Sequence, residues 1–241
     1  MLKYLIALIL LNFSLSVLGN ENESKLKISK LADNVYQHIS YKNVEPWGLV
    51  AASGLVVITG KDAHIIDTPW TFEDTKQLIN WVESKGFTVK SSVVTHFHQD
   101  ASGGIPILNE LNIKTFATKY TNQLLQQQSR EQASESIITN SFELVKGTVE
   151  VFYPGAGHSK DNIVIWLPKV KLLFGGCFVK SLNSKNLGYT GDSSISDWAQ
   201  SIQNVTDKYP NIEVVVPGHG NLGGIELLQH TDHLVSNALA K

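Results

Sequence analysis

Cysteine is nearly absent from this chain: its 241 residues include one, Cys177. A lone thiol rules out an intramolecular disulfide, so neither a disulfide scaffold nor a CxxC redox pair is available. Runs of one charge are also missing. The 20 basic and 22 acidic residues are interspersed and leave a formal net charge of -2, which excludes the basic footprint of a nucleic-acid binder or of a polybasic membrane anchor. The expected partner is a small molecule. After Gly19 there is no short repeat, low-complexity tract or long linker, so residues 20–241 read as one compact domain, built from two comparable halves and expected to be a monomer. Long apolar runs are confined to Tyr4 to Leu11. That run follows Lys3, is interrupted by Asn12, Ser14 and Ser16, and ends at Val17-Leu18-Gly19 before a polar stretch. It is too short to span a membrane and has the order of a signal peptide over residues 1–19. No cysteine follows it, which excludes lipidation there, and the compartment expected is the bacterial periplasm or the extracellular space.

Export makes Cys177 informative, since an unpaired thiol there calls either for zinc ligation or for burial as a small hydrophobe. Alternating β-branched and aromatic residues predict antiparallel strands at Leu26–Ser29, Val35–Tyr41, Leu55–Thr59 and His64–Asp67. A helix over Thr71–Lys85 follows, capped by Thr71 and stopped by Gly86, and then a strand over Ser91–Thr95. The second half repeats the pattern with strands at Ile137–Leu144, Thr148–Tyr153, Ile163–Leu167, Lys171–Phe174 and Glu213–Val216. Its helices are expected at Ile195–Lys208 and Gly224–Leu239. Such a mixture predicts an α/β fold of four layers, an αβ/βα sandwich of two packed mixed sheets flanked by helices.

Four predicted strands run into ligand-bearing turns. The first carries His96-Phe97-His98-Gln99-Asp100, two imidazoles and a carboxylate on one short loop. The others are Pro154-Gly155-Ala156-Gly157-His158, Gly175-Gly176-Cys177 and Pro217-Gly218-His219-Gly220, where glycine lets the backbone turn sharply and approach a metal. Together they offer six donors, His96, His98, His158, Asp100, Cys177 and His219, enough for two zinc ions with positions left for water. His38, His64, His230 and His233 lack this context and are expected to be ordinary strand or helix residues.

With Ser159-Lys160-Asp161-Asn162, Phe178-Val179-Lys180 and Asn186-Leu187-Gly188 added in order, the chain from about Leu26 to its C-terminal helix resembles a class B metallo-β-lactamase, subclass B1. The resemblance implies two zinc ions per chain, the first on His96, His98 and His158, the second on Asp100, Cys177 and His219. It also implies hydrolysis of the β-lactam amide of penicillins, cephalosporins and carbapenems by metal-bound hydroxide, with monobactams as poor substrates. In this picture Asp100 helps orient the nucleophile, Asn186 donates to the oxyanion, Lys180 meets the substrate carboxylate and Trp47 covers its apolar face from a flap. Asp67 matches the carboxylate that orients the metal loop. Thioester- and phosphodiester-cleaving branches of the superfamily place histidine after the motif's aspartate, where this chain has Ala101. Departures from B1 sequences at Gln99, Glu45-Pro46-Trp47-Gly48 and Tyr189-Thr190-Gly191 bear on substrate range. A superfamily hydrolase acting on another bond and a non-catalytic zinc-binding module remain the alternatives.

Overall fold

A computed structural model describes residues 26–240; the expected signal segment, 1–19, lies outside them. Twelve strands form two mixed sheets. The first joins β1 (Lys27–Ala32), β2 (Val35–Val44), β3 (Gly48–Thr59), β4 (Asp62–Ile66), β5 (Thr88–Val93), β6 (Lys114–Thr118) and β7 (Glu135–Ile137) in sequence order. β1 to β4 pair antiparallel and β4 to β7 parallel. In the second sheet, β8 (Ser141–Val145), β9 (Val149–Phe152), β10 (Val164–Leu167) and β11 (Leu172–Gly176) pair antiparallel, and β12 (Val214–Pro217) lies parallel to β11. The helices are α1 (Phe72–Ser84), α2 (Gln99–Ser102), α3 (Ile105–Glu110), α4 (Lys119–Gln127), α5 (Ile195–Lys208) and α6 (Glu226–Leu239).

The period of two along β3 explains the layering. Leu55 and Val57 point between the sheets, against Val151, Ile165 and Phe174, while Val56 and Ile58 point the other way onto Leu78, Ile79 and Val82 of α1. The second sheet does the same: Ile165 faces inward, and Val164 and Trp166 pack on Trp198, Ile202 and Val205 of α5 and on α6. Both sheets are thus buried on two faces, which gives the four-layer sandwich. α1 begins where predicted, with the Thr71 hydroxyl accepting the Asp74 N–H at 3.0 Å, and ends before Gly86 at φ 81°.

Two expectations change. The run Ile137–Leu144 is not one strand: β7 ends at Ile137 in the first sheet and β8 starts at Ser141 in the second, with Ile138 exposed at the crossing. An apolar run cannot by itself show that the chain changes sheets. The stretch 99–136, for which no element is predicted, holds three short helices, β6 and the start of β7, each too brief to display a period.

Parallel β11 and β12 pair Gly176 with Pro217, so the turns bearing Cys177 and His219 leave the same edge. Two antiparallel steps carry β9 into the direction of β11, which sends the His158 turn to that edge as well. Among the described residues, no helix is long and apolar enough to cross a membrane.

Candidate metal centre

At that edge the six donors meet. The ligand atoms of His96, His98 and His158 lie within 4.8 Å of one another, as do those of His96, Asp100 and Cys177. His219 closes the group, with Nε2 at 3.0 Å from Asp100 Oδ2 and 3.3 Å from Cys177 Sγ; Sγ and that oxygen are 3.1 Å apart. The glycines are required here. A Cβ on Gly218 would stand 2.6 Å from the Cys177 sulfur, and one on Gly176, at φ 53°, would stand 2.9 Å from the Thr95 hydroxyl.

Surrounding acceptors set the imidazole tautomers. Buried Asp67 accepts the Thr95 N–H at 2.6 Å and the Thr95 hydroxyl at 2.8 Å. With its proton committed, the Thr95 oxygen accepts from His96 Nδ1 at 3.2 Å, which leaves the His96 Nε2 lone pair free. His219 Nδ1 donates to the Ala51 carbonyl at 2.7 Å and turns Nε2 toward the cluster. His98 Nε2 donates to Asp192 at 2.9 Å, so its Nδ1 lone pair faces His158 Nε2 at 3.1 Å. Carboxylates, carbonyls and hydroxyls in this position are how metal-binding histidines are oriented.

The donors fit a cation, and fit poorly without one. His96 Nε2 and Asp100 Oδ1 are buried with no hydrogen-bond partner, a costly condition that cations bound in the cluster and their water would relieve. Burial holds the His96 imidazole down at about 3 and His158 well below its ordinary value, so both stay neutral ligands. Burial alone would raise the Asp100 carboxyl, but the hydrogen bond from His219 and the adjacent imidazoles of His96 and His219 keep it well below the usual range. The Cys177 thiol is pushed well up by burial and by the Asp100 charge; a bound cation removes that penalty and favours thiolate.

The cluster floors a cleft of about 460 Å³, a volume suited to a small molecule. Lys180 lines its wall, nearly buried, its ammonium 5.5 Å from the Trp198 ring, and no ion pair among the described residues uses it. Trp47 stands at the tip of the β2–β3 hairpin, 55% exposed, edge-on to Tyr189 at 6.5 Å across the cleft. Asn186 is not brought to the cleft. Its side-chain oxygen accepts the Gly188 N–H at 2.9 Å, a local turn that faces it into a separate depression with Leu234 and Asn237. Tyr189 lines the cleft instead and packs on His98 at 5.8 Å. Asp192, absent from the sequence-based site, is the partner of His98; a carboxylate 94 residues away carries no local signal of that contact. The remaining histidines stay out of the cluster: His38 bonds the Asp67 carbonyl, His64 lies between Thr59 and Ser91, His230 bonds the Ser184 carbonyl and His233 bonds Asn237.

No protein-family model matches the chain. Individual relatives do. Metallo-β-lactamase type 2 of Pseudomonas aeruginosa is 43% identical over 206 residues, 86% of this chain and 82% of that protein. The protein of the same name from Elizabethkingia meningoseptica is 36% identical over 237 residues, 98% of this chain and 94% of its own. The crystal structure of VMB-1 is 62% identical with a TM-score of 0.88, covering 89% of this chain and 98% of that one.

Proposed function

The chain belongs to the class B metallo-β-lactamase family, and from that premise we propose that it is a monomeric di-zinc enzyme of the bacterial periplasm, exported by residues 1–19. Its proposed substrates are penicillins, cephalosporins and carbapenems, with monobactams turned over poorly. The observation that carries this reading is a six-donor cluster on the floor of a cleft whose wall holds an ammonium with no ion-pair partner among the described residues.

In this reading His96, His98 and His158 hold the first ion, and Asp100, Cys177 and His219 the second. Zinc bound there supplies Lewis-acid polarisation and an acidified water. The reaction adds water across the lactam C–N bond, its oxygen to the carbonyl carbon and a proton to the ring nitrogen. Asp100 orients that water through Oδ1, while Oδ2 faces Cys177 and His219. Lys180 pairs with the carboxylate that bicyclic β-lactams carry beside the ring nitrogen. Burial lowers the Lys180 ammonium, opposed by the charges of Cys177 and Asp100, and an anionic substrate restores what burial costs. Trp47 and Tyr189 form apolar walls for the substituents on the bicycle. The oxyanion role expected of Asn186 falls to its amide nitrogen, since its oxygen accepts the Gly188 N–H, and would need the side chain to turn from its own depression toward the cleft.

The test is a spectrophotometric assay of purified protein on one penicillin, one cephalosporin, one carbapenem and one monobactam. It is run before chelation, after chelation, and after zinc is restored. Loss and recovery of activity on the first three, with little on the fourth, is the expected result. Turnover that survives verified metal removal would sink the reading. Uptake of zinc without hydrolysis of any β-lactam would favour a binding module.

A further inference from the structure

Arg130 is the only arginine in the sequence, and it lies behind the metal loop. It follows α4, with Ser129 before it in the left-handed region at φ 54°. Its guanidinium is half-buried, and no carboxylate pairs with it among the described residues. Instead Nη1 donates to the Phe97 carbonyl at 2.6 Å and Nη2 to the Ser102 hydroxyl at 2.8 Å. Phe97 separates His96 from His98, and Ser102 lies two residues past Asp100, so one planar group spans the segment that carries three of the six donors.

The surrounding contacts complete a clamp. The Phe97 N–H donates to Asp161 at 2.9 Å, and that carboxylate is steadied from α4 by the Thr121 hydroxyl at 2.8 Å. The Phe97 ring is buried among Val94, Ile105 and Leu125. The Ser102 hydroxyl has one proton and two carbonyls in reach, Phe97 at 2.8 Å and His98 at 2.7 Å. With Arg130 serving Phe97, that proton is free for His98. The two acceptors need two nitrogens in fixed relation, which a guanidinium has and an ammonium lacks. Ala101, next to Asp100, offers no polar side chain for the task.

We propose that Arg130 is a positioning residue for metal binding: by gripping the Phe97 carbonyl and the Ser102 hydroxyl it holds His96, His98 and Asp100 in ligating geometry before the ion arrives. This rests on the zinc reading of the cluster. It predicts that the residue acts on metal affinity, with no contact to substrate.

The experiment titrates zinc into full-length purified wild type, Arg130→Ala, Arg130→Lys and Ser102→Ala in competition with a chromophoric chelator. The Tm of each metal-free protein is measured alongside. Removing an outer partner of a metal site costs roughly tenfold to hundredfold in affinity, and that is the expected rise in zinc Kd for Arg130→Ala. Arg130→Lys and Ser102→Ala should fall between it and wild type. KM at saturating zinc should stay near the wild-type value. An unchanged Kd in Arg130→Ala, even with a lowered Tm, overturns the inference, as does Arg130→Lys binding zinc as tightly as wild type. If Arg130→Ala does not fold, the Lys and Ser102 variants decide alone: weakened zinc binding supports the clamp and wild-type binding overturns it. Wild type that takes up no zinc would overturn the metal reading and this inference with it, whereas normal wild-type uptake with unaltered variants overturns this inference only.

Discussion

At Lys180 the wall of the cleft comes close to the donor cluster without sharing an atom with it. Its ammonium lies on the cleft wall beside the donor cluster, buried and without an ion-pair partner among the described residues. Lys180→Ala should therefore keep its zinc and raise KM for carboxylate-bearing β-lactams. A charge-assisted contact of about 1.5 to 3 kcal/mol corresponds to roughly a tenfold to hundredfold loss in kcat/KM. Lys180→Arg should fall between, because charge is kept while reach changes. Steady-state kinetics on one penicillin and one carbapenem check this, and wild-type constants in the Ala variant would remove Lys180 from recognition. Cys177→Ser should instead lower zinc content from about two ions toward one, measured by elemental analysis, since a neutral hydroxyl is a far weaker ligand than thiolate. His230, on the Ser184 carbonyl, is the clean control for that experiment. His38 is not, because it bonds the carbonyl of Asp67, whose side chain braces the metal loop.

Helix α5 supports the turn that carries Cys177 and Lys180. Trp198 on its buried face is fully enclosed, stacks on Phe178 with 6.1 Å between centroids, donates from Nε1 to the Phe178 carbonyl at 3.0 Å and lies under the Lys180 ammonium. Truncating a buried tryptophan costs about 3–5 kcal/mol. Trp198→Ala should therefore lower the urea midpoint strongly at similar m-value, and the variant that folds should also show weakened binding of β-lactam substrate. Trp198→Phe should recover most of the stability and lack the bond to Phe178. Equal midpoints for Ala and wild type would show that the helix does not hold this turn.

Across the whole molecule, the site and the fold are coupled through protons. Burial holds the His38 imidazole down at about 4, against an ordinary value near 6.5. Between those pH values the unfolded chain binds the proton and the folded chain does not, so the contribution is present above 6.5 and is lost as pH falls toward 4. Its size is about 3 kcal/mol. Denaturant titrations of the metal-free protein at pH 7 and pH 5 should show lower stability at pH 5, the buried imidazoles of His38, His96 and His158 together outweighing the raised Asp67 carboxyl, which acts the other way, and NMR should find the His38 ring still neutral at pH 5. A ring titrating near 6.5 would contradict the buried placement.

Much of this architecture is legible in the amino-acid order, because burial imposes periods of two and 3.6 on neighbouring residues. Alternation along Leu55–Thr59, the Thr71 cap with its Gly86 stop and the extent Ile195–Lys208 are all local and readable. So is the habit of placing a donor in the turn after a strand, which singles out six residues spread from His96 to His219. What aims each donor is not local. Asp192 on His98, Ala51 on His219 and Arg130 on Phe97 are contacts across tens of residues or more, set by the paths of loops that carry no periodicity. For the same reason Asn186 and Tyr189, three residues apart on one loop, could be told apart only by the folded chain. In the turn closed by the Gly188 N–H, one side chain lines a neighbouring depression, while the other lines the cleft. Sequence determined which atoms could bind a metal; tertiary structure decided which lone pairs face it and what stands around it, because orientation depends on partners that only folding brings near.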